Sequence, residues 1–220
     1  MAISGHFLQE RAFVPRRFSS CSLRGVNSAF RDTLKCMHTA FIGMGGNLAS
    51  WDGSAEATLA AAALRLESLG RVTCRSSLYS TEPVGFAEQP RFVNAVVALE
   101  TELEPRALLK GLMALEQEFG RDRSAGIANG PRTLDLDILF FDDLKISEPD
   151  LEIPHPRLAE RAFVLVPLCE IAPQAFDPRQ GKTVSQLLQL LETRATPLSH
   201  AVVQLQSDVW RSGRDAGGSA

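Results

Sequence analysis

The stretch Gly130–Phe141, GPRTLDLDILFF, decides how this chain is read. It has the apolar body of a strand and is announced by Gly130–Pro131, yet it carries Asp135 and Asp137 shortly after Arg132. Residues two apart on a strand project from one face. The two carboxylates therefore stand side by side, while Leu134, Leu136 and Ile138 point the other way, into a core. Like charges so close repel, and one stays protonated unless a cation lies between them. Hard oxygen ligands on one face are what Mg²⁺ takes, together with waters and substrate phosphates. An exposed strand with a merely polar outer face would show the same spacing.

The neighbours sharpen the choice. Arg121-Asp122-Arg123 lies upstream in a loop containing Gly120, Gly126 and Gly130, and Arg132 stands at the strand entrance. These charges could form simple salt bridges. A glycine-containing loop is poor scaffolding for static pairs and suits a closing lid better. Arginines beside a carboxylate pair are the working parts of phosphoryl transfer, which needs charge neutralisation and orientation more than covalent chemistry.

Outward from this strand the elements fall into a regular order. Thr39–Leu48 is a short apolar run closed by glycines, hence a strand entering a loop. Ser54–Leu69 carries the leucine spacing of a helix, with Gly70 at its end. Arg71–Ser80 alternates as a strand, Thr81–Pro90 is a loop with Pro and Gly, and Arg91–Thr101 is a β-branched strand. Pro105 opens a helix that runs to Phe119 and ends at Gly120. The order β-α-β-β-α-β predicts an α+β, ferredoxin-like antiparallel sheet with helices on one face. Glu152–Leu158, a segment around Arg161–Ile171 and a short helix near Thr183–Leu191 form a C-terminal appendage.

Length and charge set the outer bounds. A chain of 220 residues suits one well-buried domain. A net charge of −3 gives no global sign of a nucleic-acid or membrane-surface partner. The four cysteines (Cys21, Cys36, Cys74, Cys169) are scattered and form no CxxC pair, so reduced thiols are expected. Residues 1–36 hold six basic residues against the two acids Glu10 and Asp32, and are dotted with Ser and Phe. That is the composition of an organellar transit peptide, although a disordered extension, or a spurious one with Met37 as the true start, is the plainer reading. The expected division is therefore a leader over 1–36, one domain over 37–195 and a largely disordered tail over 196–220. The cytoplasm is the expected location, with an organelle as the alternative if the leader is genuine.

The run Gly43-Met44-Gly45-Gly46-Asn47 matches neither a P-loop nor a dinucleotide fingerprint, and reads as a tight turn. No nucleophile elbow, zinc-type cluster or HExxH is present.

Taken together, these residues resemble a known family. Gly45-Gly46-Asn47-Leu48 looks like its G-S-N-L turn, and GPRTLDLDI at 130–138 matches the signature of 6-hydroxymethyl-7,8-dihydropterin pyrophosphokinase. LYSTEPVG (78–85), QPRFVNAVV (89–97), LEQEFGRDR (115–123) and IPHPRLAERAFVLVPLCEIAP (153–173) follow in order, so the similarity spans roughly residues 38–192. The resemblance implies transfer of a pyrophosphoryl group from ATP to the pterin hydroxymethyl oxygen, with release of AMP. It implies that Asp135 and Asp137 hold two Mg²⁺ ions, and that Arg121 and Arg132 are catalytic. Glu116, Arg123, Ile138, His155 and Arg161 would serve ATP. Thr81, Val84, Phe92, Asn94 and Phe163 would bind the pterin, the two phenylalanines giving it aromatic faces. The expected partners are these two small molecules alone, with no nucleic acid, no membrane and a monomeric chain. Four positions depart from the family pattern: Gly46 for Ser, Glu82 for Pro, Phe92 for Tyr, and Asn129 for a Trp that closes over the pterin.

Two rivals use similar parts. A nucleotidyltransferase also carries D-x-D, but wants a Gly-Ser helix head about a dozen residues upstream, where this chain has a lid-like loop. A ferredoxin-like binding module would have no reason to gather Arg132, Asp135, Asp137, His155 and Arg161.

Overall fold

The computed structural model describes residues 36–83, 85, 88–121, 130–194 and 202–212. Strand β1 (His38–Gly46) leads through a turn to helix α1 (Ala55–Arg65), capped by Ser54, whose hydroxyl accepts from the Ala57 N–H. Strands β2 (Arg71–Arg75), β3 (Leu78–Thr81) and β4 (Phe92–Thr101) precede helix α2 (Pro105–Glu118), which has Pro105 in its first turn. Strand β5 (Asp135–Phe141) is followed by the hairpin β6 (Ile146–Glu148) and β7 (Leu151–Ile153). Helix α3 (Ala162–Ile171) comes next, then the short pair β8 (Phe176–Asp177) and β9 (Lys182–Thr183), and helix α4 (Val184–Arg194). Strand β10 (Val202–Leu205) and helix α5 (Asp208–Ser212) end the described chain.

The main sheet runs β10-β3-β4-β1-β5, with β2 also paired to β4, and every pairing is antiparallel. The β-α-β-β-α-β core is thus the ferredoxin-like arrangement that the element order predicts. The single strand expected over 71–80 is two strands. At Ser76 the chain steps aside, and β2 and β3 pair with different stretches of β4.

Helices on one face only are not what the chain builds. The first face carries α1 and α2 over a core of Ile42, Met44, Val97, Leu99, Leu134, Leu136 and Phe141. The second is covered by α3 and α4 over Phe41, Val96, Ala98, Leu139, Phe140, Leu165 and Leu168. The expected appendage is therefore the second layer of the molecule. Helix α3 is apolar nearly all round because it lies between the sheet and α4.

Strand β5 serves both layers through a local irregularity. Its register with β1 shifts between Phe41 and Ile42, so Leu139 and Phe140 both face the second core, while Ile138 and Phe141 face the first. Ile138 precedes the irregularity, and plain strand alternation turns its side chain into the first core, 5% exposed, away from the cleft where the resemblance has it serving ATP. The Leu139 carbonyl then accepts the His155 N–H at 3.0 Å, docking the segment after β7 beside the two aspartates.

The tail expected over 196–220 is corrected for residues 202–212. β10 pairs with β3, and Trp210 is buried in the first core at 1% exposure. A four-residue strand and one tryptophan leave too little periodic pattern to be read locally.

The two-core arrangement has a direct test. Phe140→Ala and Phe141→Ala should each lower unfolding free energy by about 3–5 kcal/mol, measured by urea denaturation. A sheet covered on one face would lose stability with only one of them.

Candidate active site

The cleft lies on the second face of the sheet, beyond the N-terminal end of α3, and encloses about 500 Å³. Its floor follows from strand register. Gly45 stands between Asn94 on β4 and Asp135 on β5, and Gly43 between Val96 and Asp137. Because β1 contributes no side chain at these positions, the two outer strands look across an open floor. A Cβ added at Gly45 would come within 2.9 Å of Asn94 Oδ1, so the carboxamide keeps its place only over glycine.

Asp135 and Asp137 share this face while Leu134, Leu136 and Ile138 fill the first core, as the period-two pattern requires. The pair is electrostatically unequal. Asp135 is ion-paired with Arg121 Nη1 and lies 3.5 Å from Arg132 Nε. Among the described residues Asp137 has no arginine in ion-pair contact, and it is 3.8 Å from His155 Nε2. Its recessed position and the Asp135 charge hold its carboxyl well above the usual carboxylate range.

Gly120, with φ of +82°, ends α2 in the left-handed conformation and turns Arg121 back across the site. Burial works against the Arg121 charge, but Asp135 and Glu116 outweigh it and its pKa is raised. Glu116 is fully buried, pairs with Arg121, and accepts the N–H of Leu136 at 2.8 Å. It therefore sits behind the cleft and pins the peptide unit between the two aspartates, instead of lining the space expected for ATP.

The Arg132 main chain is held by Asn47, which sequence reasoning did not single out. Asn47 Oδ1 accepts the Arg132 N–H at 2.9 Å, and the Asn47 N–H donates to the Arg132 carbonyl at 2.9 Å. Asn47 Nδ2 donates to Gln89 Oε1 and to the Pro90 carbonyl, both at 3.0 Å. One side chain, 7% exposed, thus ties the β1 turn, the lead-in to β4 and the lead-in to β5. Gly46, where the resembled family has Ser, packs so closely on the Thr133 carbonyl that an added Cβ would overlap it. The Arg132 guanidinium lies 5.2 Å from the Phe92 ring centroid, and its buried Nε has no hydrogen-bond partner among the described residues.

The opposite end of the cleft is built from amide, hydroxyl and aromatic groups. Asn94 Nδ2 donates to Thr81 Oγ1 at 2.7 Å, and both residues are buried. Asn94 Oδ1 is left facing the cleft over Gly45. Phe92 and Phe163 line the same space, with Arg161 stacked 5.5 Å from the Phe163 ring. His155 accepts the Arg157 N–H on Nδ1 at 3.1 Å, which places its own proton on Nε2, toward Asp137. Burial, then Arg161, lower its pKa to about 4, so the ring is neutral at ordinary pH. Burial also lowers the Arg161 pKa, with Arg157 adding to the effect.

Ten of the expected residues thus line one cleft: Thr81, Phe92, Asn94, Arg121, Arg132, Asp135, Asp137, His155, Arg161 and Phe163. Glu116 and Ile138 do not; Val84, Arg123 and Asn129 lie outside the described residues. Arg157, Glu160 and Val202 join the lining unannounced, and so does Glu82, noted only as a departure from the family pattern. Of these, Arg157 was readable, as a third basic residue beside His155 and Arg161.

A carboxylate pair, a fan of arginines and an amide-and-aromatic end define an α+β phosphoryl-transfer enzyme acting on a flat heterocycle. Comparison with known proteins narrows the class. The family description 7,8-dihydro-6-hydroxymethylpterin-pyrophosphokinase (HPPK) matches residues 41–173, and the chain belongs to that family. A Synechocystis protein called 2-amino-4-hydroxy-6-hydroxymethyldihydropteridine pyrophosphokinase is 42% identical over 158 residues, 72% of this chain and 78% of that one. A Pseudomonas aeruginosa protein of the same name is 43% identical over 148 residues, 67% of this chain and 88% of its own. A mitochondrial folate synthesis bifunctional protein from Arabidopsis thaliana is 50% identical over 117 residues, 52% of this chain but only 21% of its own length. The fold matches a crystal structure of Plasmodium falciparum HPPK-DHPS with pterin and p-hydroxybenzoate, at a TM-score of 0.63 and 15% identity. That match covers 78% of this chain and 46% of the other.

The Asn47 clamp has its own test. Asn47→Leu leaves the Arg132 N–H, Gln89 and Pro90 without their partner and should lower stability by about 1–3 kcal/mol. Amide exchange at Arg132 should quicken in the same variant. Unchanged exchange there would show that Asn47 does not hold this strand entrance.

Proposed function

We infer that this cleft transfers the pyrophosphoryl group of ATP to the hydroxymethyl oxygen of 6-hydroxymethyl-7,8-dihydropterin, giving the pterin diphosphate and AMP in folate biosynthesis. The observation that carries the reading is one open floor with an anion-handling end and a heterocycle end, joined through Gly43 and Gly45. The pterin hydroxymethyl oxygen attacks the β-phosphorus as the bond to the AMP oxygen breaks and the hydroxyl proton passes to water, so negative charge shifts between phosphate oxygens during the step. Arg132 and Arg121, both lining the cleft beside Asp135, neutralise that charge. Arg161 and His155 flank the nucleotide side, and the neutral His155 donates through Nε2. At the other end, the Thr81–Asn94 pair reads the polar edge of the pterin, with Phe92 and Phe163 against its faces.

The donor set fits a magnesium site. Two hard carboxylates share a face, burial and their mutual repulsion hold the Asp137 carboxyl above the usual range despite Arg161 and Arg121, and Mg²⁺ takes one or two carboxylates with phosphates and water completing its shell. Asp135 and Asp137 would hold the ions, two being expected. When bound, the metal withdraws charge from the phosphate oxygens and so assists attack. The chain is taken to work as a monomer in the cytoplasm, and no helix among the described residues is long and apolar enough to cross a membrane.

AMP formation from ATP should depend on added hydroxymethyl-dihydropterin. A nucleotidyltransferase would release pyrophosphate instead, and a binding module would release neither. Asp137→Ala should lower turnover on the order of 10²-fold or more without lowering the melting temperature, because this half-exposed carboxylate contributes little to the core and its removal relieves repulsion with Asp135. Normal turnover in a folded variant would remove Asp137 from the mechanism.

A further inference from the structure

The segment after residue 201 lies far from the phosphate chemistry but reaches the cleft. In the main sheet, β10 is one edge and β5 the other, so Val202 is separated from Asp135 and Asp137 by three intervening strands. Val202 pairs directly with Thr81 and therefore projects from the same face, where it joins the cleft lining. Thr81 in turn accepts from Asn94. The first residue of β10 thus continues the heterocycle end of the cleft outward by one strand.

The strand is fastened at several points. Gln204 Nε2 donates to Ser77 Oγ at 2.7 Å, and Ser77 donates through both N–H and Oγ to the Glu170 carboxylate on α3, at 2.8 and 2.9 Å. Tyr79 Oη reaches the same carboxylate at 3.0 Å. On the other face of the sheet, Trp210 is sealed into the first core, and its Nε1 donates to the Ser76 carbonyl at 2.7 Å. The Arg75 guanidinium lies 5.6 Å from the Trp210 ring centroid. Ser76 is itself bonded to Val96 of β4 in both directions, at 2.9 Å each. Such fastening exceeds what a loose tail needs, and all of it converges on the turn that delivers β3 to Thr81.

We propose that β10 is part of the substrate pocket: Val202 is the outer wall against the heterocycle beside Thr81, and Trp210 is a positioning residue that holds β3 and β10 in register for it. This rests on the pterin reading above and assigns the C-terminal segment to heterocycle selection, with no part in ATP handling.

The test uses the full chain and two variants, with Michaelis constants measured separately for hydroxymethyl-dihydropterin and ATP. Val202→Phe adds bulk to the wall and should raise the pterin constant roughly tenfold, leaving the ATP constant unchanged. Trp210→Phe keeps an aromatic ring in the core, loses the bond to Ser76, and should raise the pterin constant about threefold. Val202→Ala serves as a second wall variant should Val202→Phe fail to fold, and should change the pterin constant alone. Variants that melt normally and show unaltered pterin constants, or that shift both constants together, would overturn the proposal. If the unaltered chain shows no pterin-dependent AMP, the functional reading fails, and this inference with it.

Discussion

Two carboxylates held on one face of a strand, within repulsive reach of each other, are the constraint around which the site is arranged. The backbone fixes them there: reversing either would expose Leu136 or bury a charge in the first core. The protein answers the repulsion at one aspartate and leaves it at the other. Arg121 and Arg132 neutralise Asp135, while Asp137 keeps an elevated proton affinity in the absence of a cation. Glu116 secures the peptide between them from behind, so the pair cannot relax by twisting the strand. On the proposed reading, a divalent ion carried in on phosphates would relieve that repulsion.

The second core makes the arrangement possible. With α1 and α2 alone, the face bearing the aspartates would be open to water, and its charges would be screened and weak. Helices α3 and α4 cover most of that face and stop short of its end, leaving a cleft walled by the N-terminal end of α3. The β5 irregularity joins the two tasks. It moves Leu139 and Phe140 into the second core and gives the Leu139 carbonyl to the His155 segment.

Much of this was legible in the sequence because it is local. The alternation in TLDLDI places both carboxylates on one face without reference to anything distant, and Pro105 and Gly120 bracket α2. What escaped depends on contacts between remote segments. Asn47 meets Arg132 across 85 residues, and nothing in its own neighbourhood announces the clamp. For Ile138 the local alternation pointed into the core, where it lies, and only the resemblance put it beside ATP. Glu116 carried the right charge and the wrong surroundings, since only packing shows that it faces the strand from behind. The apolar run around Arg161–Ile171 was visible, yet a run that is apolar all round does not reveal which sheet face it covers. Val202–Trp210 was missed for a similar reason: its strand is too short to show a period, and Trp210 finds its place only against α1 and Ser76.

The central claim is that Asp135 and Asp137 grip a nucleotide's phosphates through divalent cations. Calorimetric titration of an unreactive ATP analogue, with and without magnesium, tests it most directly on the unaltered chain and on the Asp135→Asn, Asp137→Asn double variant. Saturable heat is expected only when magnesium, analogue and both carboxylates are present together. Heat of equal size in the double variant, or none in the unaltered chain, would contradict the account.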